Sequence, residues 1–253
     1  MDYNSLVRLA CELGTRFMQS GAEIYRVEDS IMRLMAAYDL PQPQVFAIPT
    51  CLIVSVTPPD GQPVTQLCRI TGRAIDLDRL EQCNALCREL CRDTPPADRA
   101  WELLHQLDAQ RPRYSDLFVL LGHFLTGAAF TLFFRGTGAD CLAGGLCGLL
   151  IGLSTRFLRP IAGSNAFFRT LLSALLSSLL ALALTSAGLG THPDTVTIGA
   201  LMLLVPGVSL TTAMREVMAG DLVSGMSSLT DSLLTATAIA LGTGASMALW
   251  SVL

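Results

Sequence analysis

The uneven distribution of charge along the chain constrains its fold more than any other feature. Of the 38 charged residues (17 basic plus 21 acidic) among 253, 28 lie in residues 1–116 and 10 in residues 117–253. Glycine has the opposite distribution, with 4 residues before this point and 17 after it. A long apolar segment rich in glycine has the composition of a membrane domain. The sequence therefore predicts a soluble domain over 1–113 and a membrane domain over 114–253.

The soluble part has the patterns of a small α+β domain. Apolar residues recur at helical spacing over 4–19 and 22–38. Two segments rich in β-branched residues, 45–57 and 64–71, flank the turn sequence TPPDGQP and predict a hairpin. Two more amphipathic helices are predicted, over 73–93 and 97–110.

The second part predicts a membrane α-helical bundle with five transmembrane helices. A helix needs about 20 apolar residues to cross about 30 Å of hydrocarbon, and five stretches meet this length: 117–134, 139–158, 167–189, 195–214 and 228–252. Many transporters are built from two inverted repeats. An odd number of spans is therefore typical of one half of such a transporter.

Arginine placement predicts the orientation in the membrane. Arg111 and Arg113 precede the first predicted span, and Arg156, Arg159 and Arg169 surround the loop between the second and third. By the positive-inside rule these segments are cytoplasmic. The first residues, MDYNSLVRLACELG, lack a signal peptide pattern, which also predicts a cytoplasmic amino-terminal domain and a carboxyl terminus outside.

The composition excludes several classes of function. All 17 basic residues are arginine, so the chain has no P-loop lysine and no lysine for a Schiff base or pyridoxal phosphate. The slightly acidic balance gives no nucleic-acid footprint. Cys83, Cys87 and Cys91 share one helix face, either as an apolar ridge or as a metal site. Because no histidine lies nearby in the sequence, we expect the ridge, and no metal or other cofactor.

Pro206 and Gly207 are the first candidate functional pair. They lie about 11 residues, or about 17 Å, into the fourth predicted span, near the bilayer midplane. Proline removes a backbone hydrogen bond, so the helix should kink or unwind there. Broken helices at this depth often present half-helix ends to a substrate, although a simple proline kink fits equally well.

Charged residues in the membrane part are the other candidates for a substrate or ion pathway: Asp140, Arg215, Glu216, Asp221 and Asp231. A carboxylate at membrane depth costs at least about 2.5–3.5 kcal/mol, so it usually faces a partner or water. Arg215 fits a clamp for a substrate carboxylate, a positive-inside anchor, or an ordinary pair with Glu216. Asp231 lies only a few residues inside its predicted span, near the interface.

Two segments resemble the signatures of the threonine/serine exporter (ThrE) family. They are GAEIYRVEDSI, from Gly21, and VPGVSLTTAMREVMAGDLVSG, over 205–225. The first carries Gly21, Glu23, Arg26 and Glu28, and the second carries Pro206, Gly207, Arg215 and Asp221. At Glu216 the family pattern has aspartate. From the residues alone, Glu23 and Glu28 fit either a carboxylate pair or a solvated, salt-bridged helix face.

The resemblance implies a secondary exporter of a small carboxylate in the bacterial inner membrane. Single-chain members of the family export threonine and serine. The chain is most similar to YjjP-type subunits, which work with a small five-span YjjB-type partner and are associated with succinate export. We therefore expect a non-enzymatic succinate exporter subunit, with threonine/serine export as the alternative. A membrane-anchored enzyme or a regulatory protein is a further alternative, although no GxSxG or HExxH motif is present.

Overall fold

A computed structural model describes residues 2–109, 114–158 and 165–252. The chain divides into two compact units. The α/β unit comprises Met1–Arg113 and Thr211–Ser228, and the helical unit comprises Tyr114–Leu210 and Leu229–Leu253. The sequence placed 211–228 in the membrane domain, whereas in the structure this segment groups with the amino-terminal residues.

Two helices at the start of the chain contribute much of the core of the α/β unit. They are α1, Tyr3–Gln19, and α2, Ile24–Ala37. Asp2 caps α1 by accepting a hydrogen bond from the Ser5 amide. Their predicted apolar faces are buried. Gly21, with φ of +87°, forms the turn between them, a conformation that glycine adopts without strain.

The sheet has three antiparallel strands rather than the predicted two. These are β1, Gln44–Ile48, β2, Cys51–Val56, and β3, Val64–Arg69, in the order β1-β2-β3. The segment 45–57 was predicted as one strand. It folds back at Pro49-Thr50, and Ile48 pairs with Cys51. Proline cannot donate a ladder hydrogen bond, so a second turn falls where the β-branched pattern continues.

Two more helices of the α/β unit follow the sheet: α3, Leu77–Asp93, and α4, Ala97–Ala109. Cys83 and Cys87 are buried in the core and Cys91 is half-buried, as the apolar-ridge interpretation requires. Asp108 on α4 forms ion pairs with Arg16 and Arg79. Burial alone would raise the pKa of Asp108, but these two guanidinium groups lower it overall.

The helical unit contains α5, Asp116–Phe133, α6, Gly138–Phe157, α7, Ala166–Ser186, and α8, Pro193–Leu201. Helix α5 packs closely on α6 because glycine lines the contact. A Cβ at Gly144 would lie 3.0 Å from Thr131 Cβ, and one at Gly148 would collide with the His123 carbonyl group. Small residues permit such close helix packing in membranes.

Four described helices are long and apolar enough to cross a membrane: α5, α6, α7 and α10, Leu222–Trp250. The predicted count of five is not confirmed. The segment 195–214 is not one helix, because α8 ends at Leu201 and α9, Gly207–Ala219, begins after Pro206. With nine residues, α8 is only about 14 Å long. Arg111, Arg113 and Arg159, on which the predicted orientation partly depends, lie outside the described residues.

Candidate functional site

The two signature segments meet within the α/β unit through Glu23 and Arg215. Glu23 precedes the first turn of α2, and Arg215 lies on α9. The Arg215 guanidinium donates to Glu23 Oε1, and Arg26 Nε lies 2.6 Å from Glu23 Oε2. The Glu23 side chain is 11% exposed, whereas that of Arg215 is 56% exposed. A largely buried carboxylate is therefore held between two guanidinium groups, one from each signature segment.

Glu216 makes a second link between the same two helices. Its side chain is fully buried. Glu216 Oε1 accepts a hydrogen bond from the Ile24 amide at 3.4 Å, and Oε2 accepts one from Ser228 Oγ at 3.2 Å. Amides in the first turn of a helix lack intrahelical acceptors and favour negative charge. Glu216 thus completes the start of α2, where the Glu23 side chain forms no capping hydrogen bond.

Glu28 lies one and a half turns further along α2 and is half-buried. Its Oε1 accepts a hydrogen bond from the Ala47 amide of β1 at 2.7 Å. Burial raises the pKa of Glu28 above its ordinary range, and the negative charge of Asp221 raises it further, although the Ala47 hydrogen bond opposes the shift. Asp221 therefore belongs to the same electrostatic environment as Glu28.

The turn between α9 and α10 sets the position of Asp221. Gly220 has φ of +98°, a left-handed conformation that ends α9. The Asp221 amide then donates to the Glu216 carbonyl group at 3.0 Å, and the Asp221 carbonyl accepts from the Gly225 amide at 2.9 Å. A Cβ on Gly225 would collide with the Val217 side chain. The spacing of the second signature thus builds a tight helical hairpin.

Asp140, in the helical unit, is bonded to neighbouring backbone and side-chain groups. It is fully buried at the start of α6, where it forms a capping box with Thr137. Its Oδ1 accepts from the amides of Thr191 and His192 at 2.6 and 3.1 Å. Its Oδ2 accepts from the Thr137 amide at 2.9 Å and lies 3.0 Å from His192 Nδ1. The carboxylate therefore fastens the α7–α8 loop to the start of α6.

The remaining predicted residues lie apart from these contacts. Pro206 lies in the interruption between α8 and α9, and Gly207 is the first residue of α9. The Leu210 amide donates to the Pro206 carbonyl group. Asp231 is exposed on α10. Within the described residues, its carboxylate has no hydrogen-bond or ion-pair partner. Gly21 is half-buried in the turn before Glu23.

Sequence reasoning missed the partners of these acids. Thr191 and His192, which bind Asp140, lie in a polar loop about fifty residues further along. The histidine in GLGTHPDT was the available signal. The Ile24 and Ala47 amides carry no side-chain signal at all, because any residue type provides a backbone N–H.

Comparison with known proteins shows which family the chain resembles. A family model described as "Putative threonine/serine exporter" (ThrE) matches residues 8–250. A Mycobacterium tuberculosis protein named "Probable threonine/serine exporter" is 24% identical over 237 residues, covering 92% of this chain and 44% of the relative. An uncharacterised Schizosaccharomyces pombe protein is 24% identical over 231 residues, covering 88% of this chain and 28% of the relative. No solved structure matches the chain.

The apolar helices define a multi-pass membrane protein that carries an α/β unit. The family match covers nearly the whole chain, so the protein belongs to the ThrE family. The chain spans less than half the length of the curated relatives described above.

Proposed function

We propose that this chain forms part of a secondary exporter that moves threonine and serine out of the cell. The observation that carries this proposal is the ThrE family match over residues 8–250. The name of the M. tuberculosis relative supports the same substrate class. Because the chain lacks lysine and hence a P-loop, export would draw on the substrate gradient or on coupled ions rather than on nucleotide hydrolysis.

The charges of the α/β unit favour a zwitterion over a dicarboxylate such as succinate. An amino acid needs one cation for its carboxylate and one acid for its ammonium group. Arg215 would serve the first, and Glu28 or Asp221 the second. A dicarboxylate needs positive charge at two places, but Arg26 and Arg215 both face the single carboxylate of Glu23. The comparisons likewise give succinate no support.

In this proposal, Glu23 occupies Arg215 until a substrate carboxylate takes its place. The exposed guanidinium is accessible, and its planar fork matches either carboxylate. Exchange would release Glu23 and loosen the contact between α2 and α9. Substrate binding would thereby weaken the contact between the two signature segments. Pro206 and Gly207 would interrupt the helical backbone at the start of α9.

We further propose that the α/β unit is cytoplasmic, that the membrane is the bacterial inner membrane, and that a small five-span chain of the same family completes the pathway. Both curated relatives are more than twice as long as the segment they share with this chain. No enzymatic step forms part of this proposal.

The direct test is amino acid efflux from cells that lack the gene. Cells are loaded with a threonine-containing dipeptide or, in parallel, with succinate, and the chain is expressed alone or with the five-span partner. Threonine efflux above the empty-vector rate supports the proposal. Succinate efflux without threonine efflux would contradict the substrate assignment, and efflux of neither with both chains present would contradict the exporter itself.

Variants at the Glu23–Arg215 contact separate a substrate role from a structural one. Arg215→Ala should abolish efflux while the protein stays in the membrane, and Glu23→Gln should lower the half-saturating threonine concentration because the competing carboxylate is gone. Arg99→Ala, which removes an exposed arginine that pairs with Glu102 on α4, is the matched control. Equal loss of efflux and of protein in both site variants would indicate a purely structural contact.

A further inference from the structure

A groove of about 760 Å³ lies between α2 and the sheet, within the α/β unit alone. Its floor is apolar: Phe46 of β1 pairs with Ile53 of β2, and Met32 of α2 borders the same space. Phe46 is 57% exposed and Met32 is 38% exposed, so the floor stays open among the described residues. Pockets of about 300–1,000 Å³ are typical of sites for small organic ligands. We call this space the α2–β1 groove.

Glu28 gives the α2–β1 groove its unbalanced charge. Two acids line the groove, Glu28 and Asp29, and no basic side chain of the described residues does. Asp29 is already paired with Arg33, at 2.9 Å. Glu28 is half-buried, and within the described part of the chain it takes part in no ion pair. A partly buried carboxylate without a counter-charge favours a cation that enters beside it.

Aromatic rings at the groove favour the same charge. Tyr25 and Phe46 both line it, and the face of an aromatic ring attracts a cation. Arg26 already lies over the Tyr25 ring, 5.9 Å from its centre, which shows that this ring accepts a cation. The charge of Arg26 is balanced by Glu23, so it leaves Glu28 unpaired.

The edge of the sheet at this groove is closed to an added peptide strand. The strand β1 lies at the edge, where peptides can pair with free backbone groups. However, the Ala47 amide already donates to Glu28 Oε1 at 2.7 Å. A peptide would have to break this bond in order to pair there. The groove therefore suits a small molecule better than an extended peptide.

We propose that the α2–β1 groove binds a small organic cation, namely a protonated amine joined to an apolar or aromatic body. The ammonium group donates to the Glu28 carboxylate, and the apolar body packs on Phe46, Ile53 and Met32. This ligand differs in class from threonine, which has no such body. The inference goes beyond the proposed function, in which Asp221 can take the ammonium group of the substrate instead of Glu28. Its test is a binding measurement that does not depend on export.

Isothermal titration calorimetry on the purified full chain in detergent micelles tests this proposal. The probes are phenethylamine and 3-phenylpropionate, which share a ring and a two-carbon linker but carry opposite charges. Titrations into empty micelles are subtracted from each. The groove variants are Glu28→Gln, which retains an acceptor for the Ala47 amide, and Phe46→Ala. The matched control is Glu102→Gln, since Glu102 is an exposed acid on α4.

We expect saturable binding of phenethylamine and none of 3-phenylpropionate. Affinity for phenethylamine should fall about tenfold in Glu28→Gln, because a charged hydrogen bond is lost. It should fall several-fold in Phe46→Ala and stay unchanged in Glu102→Gln. Absence of saturable binding, equal binding of the two probes, or unchanged affinity in either groove variant would overturn the proposal. Phe46→Ala keeps the test decisive if Glu28→Gln does not fold, because the Phe46 side chain is exposed.

Discussion

Replacing Asp140 with alanine tests whether this acid fastens two segments of the helical unit or serves a substrate pathway. In the structure its carboxylate accepts from three backbone amides, those of Thr137, Thr191 and His192. Alanine leaves all three without this acceptor. At about 1 kcal/mol for each lost acceptor, the free energy of unfolding should fall by about 3 kcal/mol. Asparagine retains one acceptor oxygen but places N–H groups near other donors, so Asp140→Asn should lose about half as much.

The measurement is equilibrium unfolding in mixed detergent micelles, together with efflux normalised to the amount of folded protein. Asp194→Ala is the matched control, since Asp194 is an exposed acid in the first turn of α8, and it should lose less than about 1 kcal/mol. Asp140→Ala should transport in proportion to the folded protein that remains. An Asp140→Ala variant as stable as the wild type but inactive in efflux would refute the structural role and indicate that Asp140 belongs to the substrate pathway.

Three further predictions follow from particular contacts. Because burial raises the pKa of Glu28, the folded state keeps this proton to a higher pH than the unfolded state does. The contribution of Glu28 to the free energy of unfolding should therefore fall as pH rises from about 4 through the raised pKa. In thermal unfolding Glu28→Gln should lack this contribution, so its stability relative to the wild type should rise over that range. Gly148→Leu should reduce the yield of folded protein by forcing α5 and α6 apart, whereas Gly244→Leu, at a position with open space around it, should not. Glu216→Ala should destabilise the start of α2 by about 1–3 kcal/mol, measured by hydrogen exchange at the amides following Ile24.

Each of these predictions has a result that would contradict it. Identical pH profiles for the wild type and Glu28→Gln would show that Glu28 does not titrate differently on folding. Equal yields of folded protein from the Gly148 and Gly244 variants would show that α5 and α6 are not closely packed at Gly148. If hydrogen exchange at the start of α2 were unchanged in Glu216→Ala, water would replace the carboxylate as acceptor without loss of stability.

Much of the local structure could be predicted from the sequence. Helical spacing located α1 and α2 to within a few residues, because their apolar faces repeat without interruption. The second turn in the sheet was missed, since Pro49 interrupts a run of residues that all favour strands. The helix interruption near Pro206 was predictable from the missing amide of proline, but that Leu201 would be the last residue of α8 was not.

The candidate site was harder to predict, because its partners are distant in sequence. Charge alone could not show that Arg215 faces Glu23, 192 residues away, since either residue had other acceptable partners. The segment Thr211–Ser228 groups with the amino-terminal residues, where Arg215 pairs with Glu23 and Glu216 accepts from the Ile24 amide. Neither contact could be located from the composition of the segment.

In the proposed function, the protein exports threonine or serine through a site that includes Arg215. The most direct measurement is threonine efflux from loaded cells that express wild-type protein, Arg215→Ala or Arg99→Ala at matched membrane levels, each beside the five-span partner. We expect efflux by the wild type and by Arg99→Ala, and background efflux by Arg215→Ala. Wild-type efflux by Arg215→Ala, or threonine efflux at background for all three proteins, would contradict the proposal.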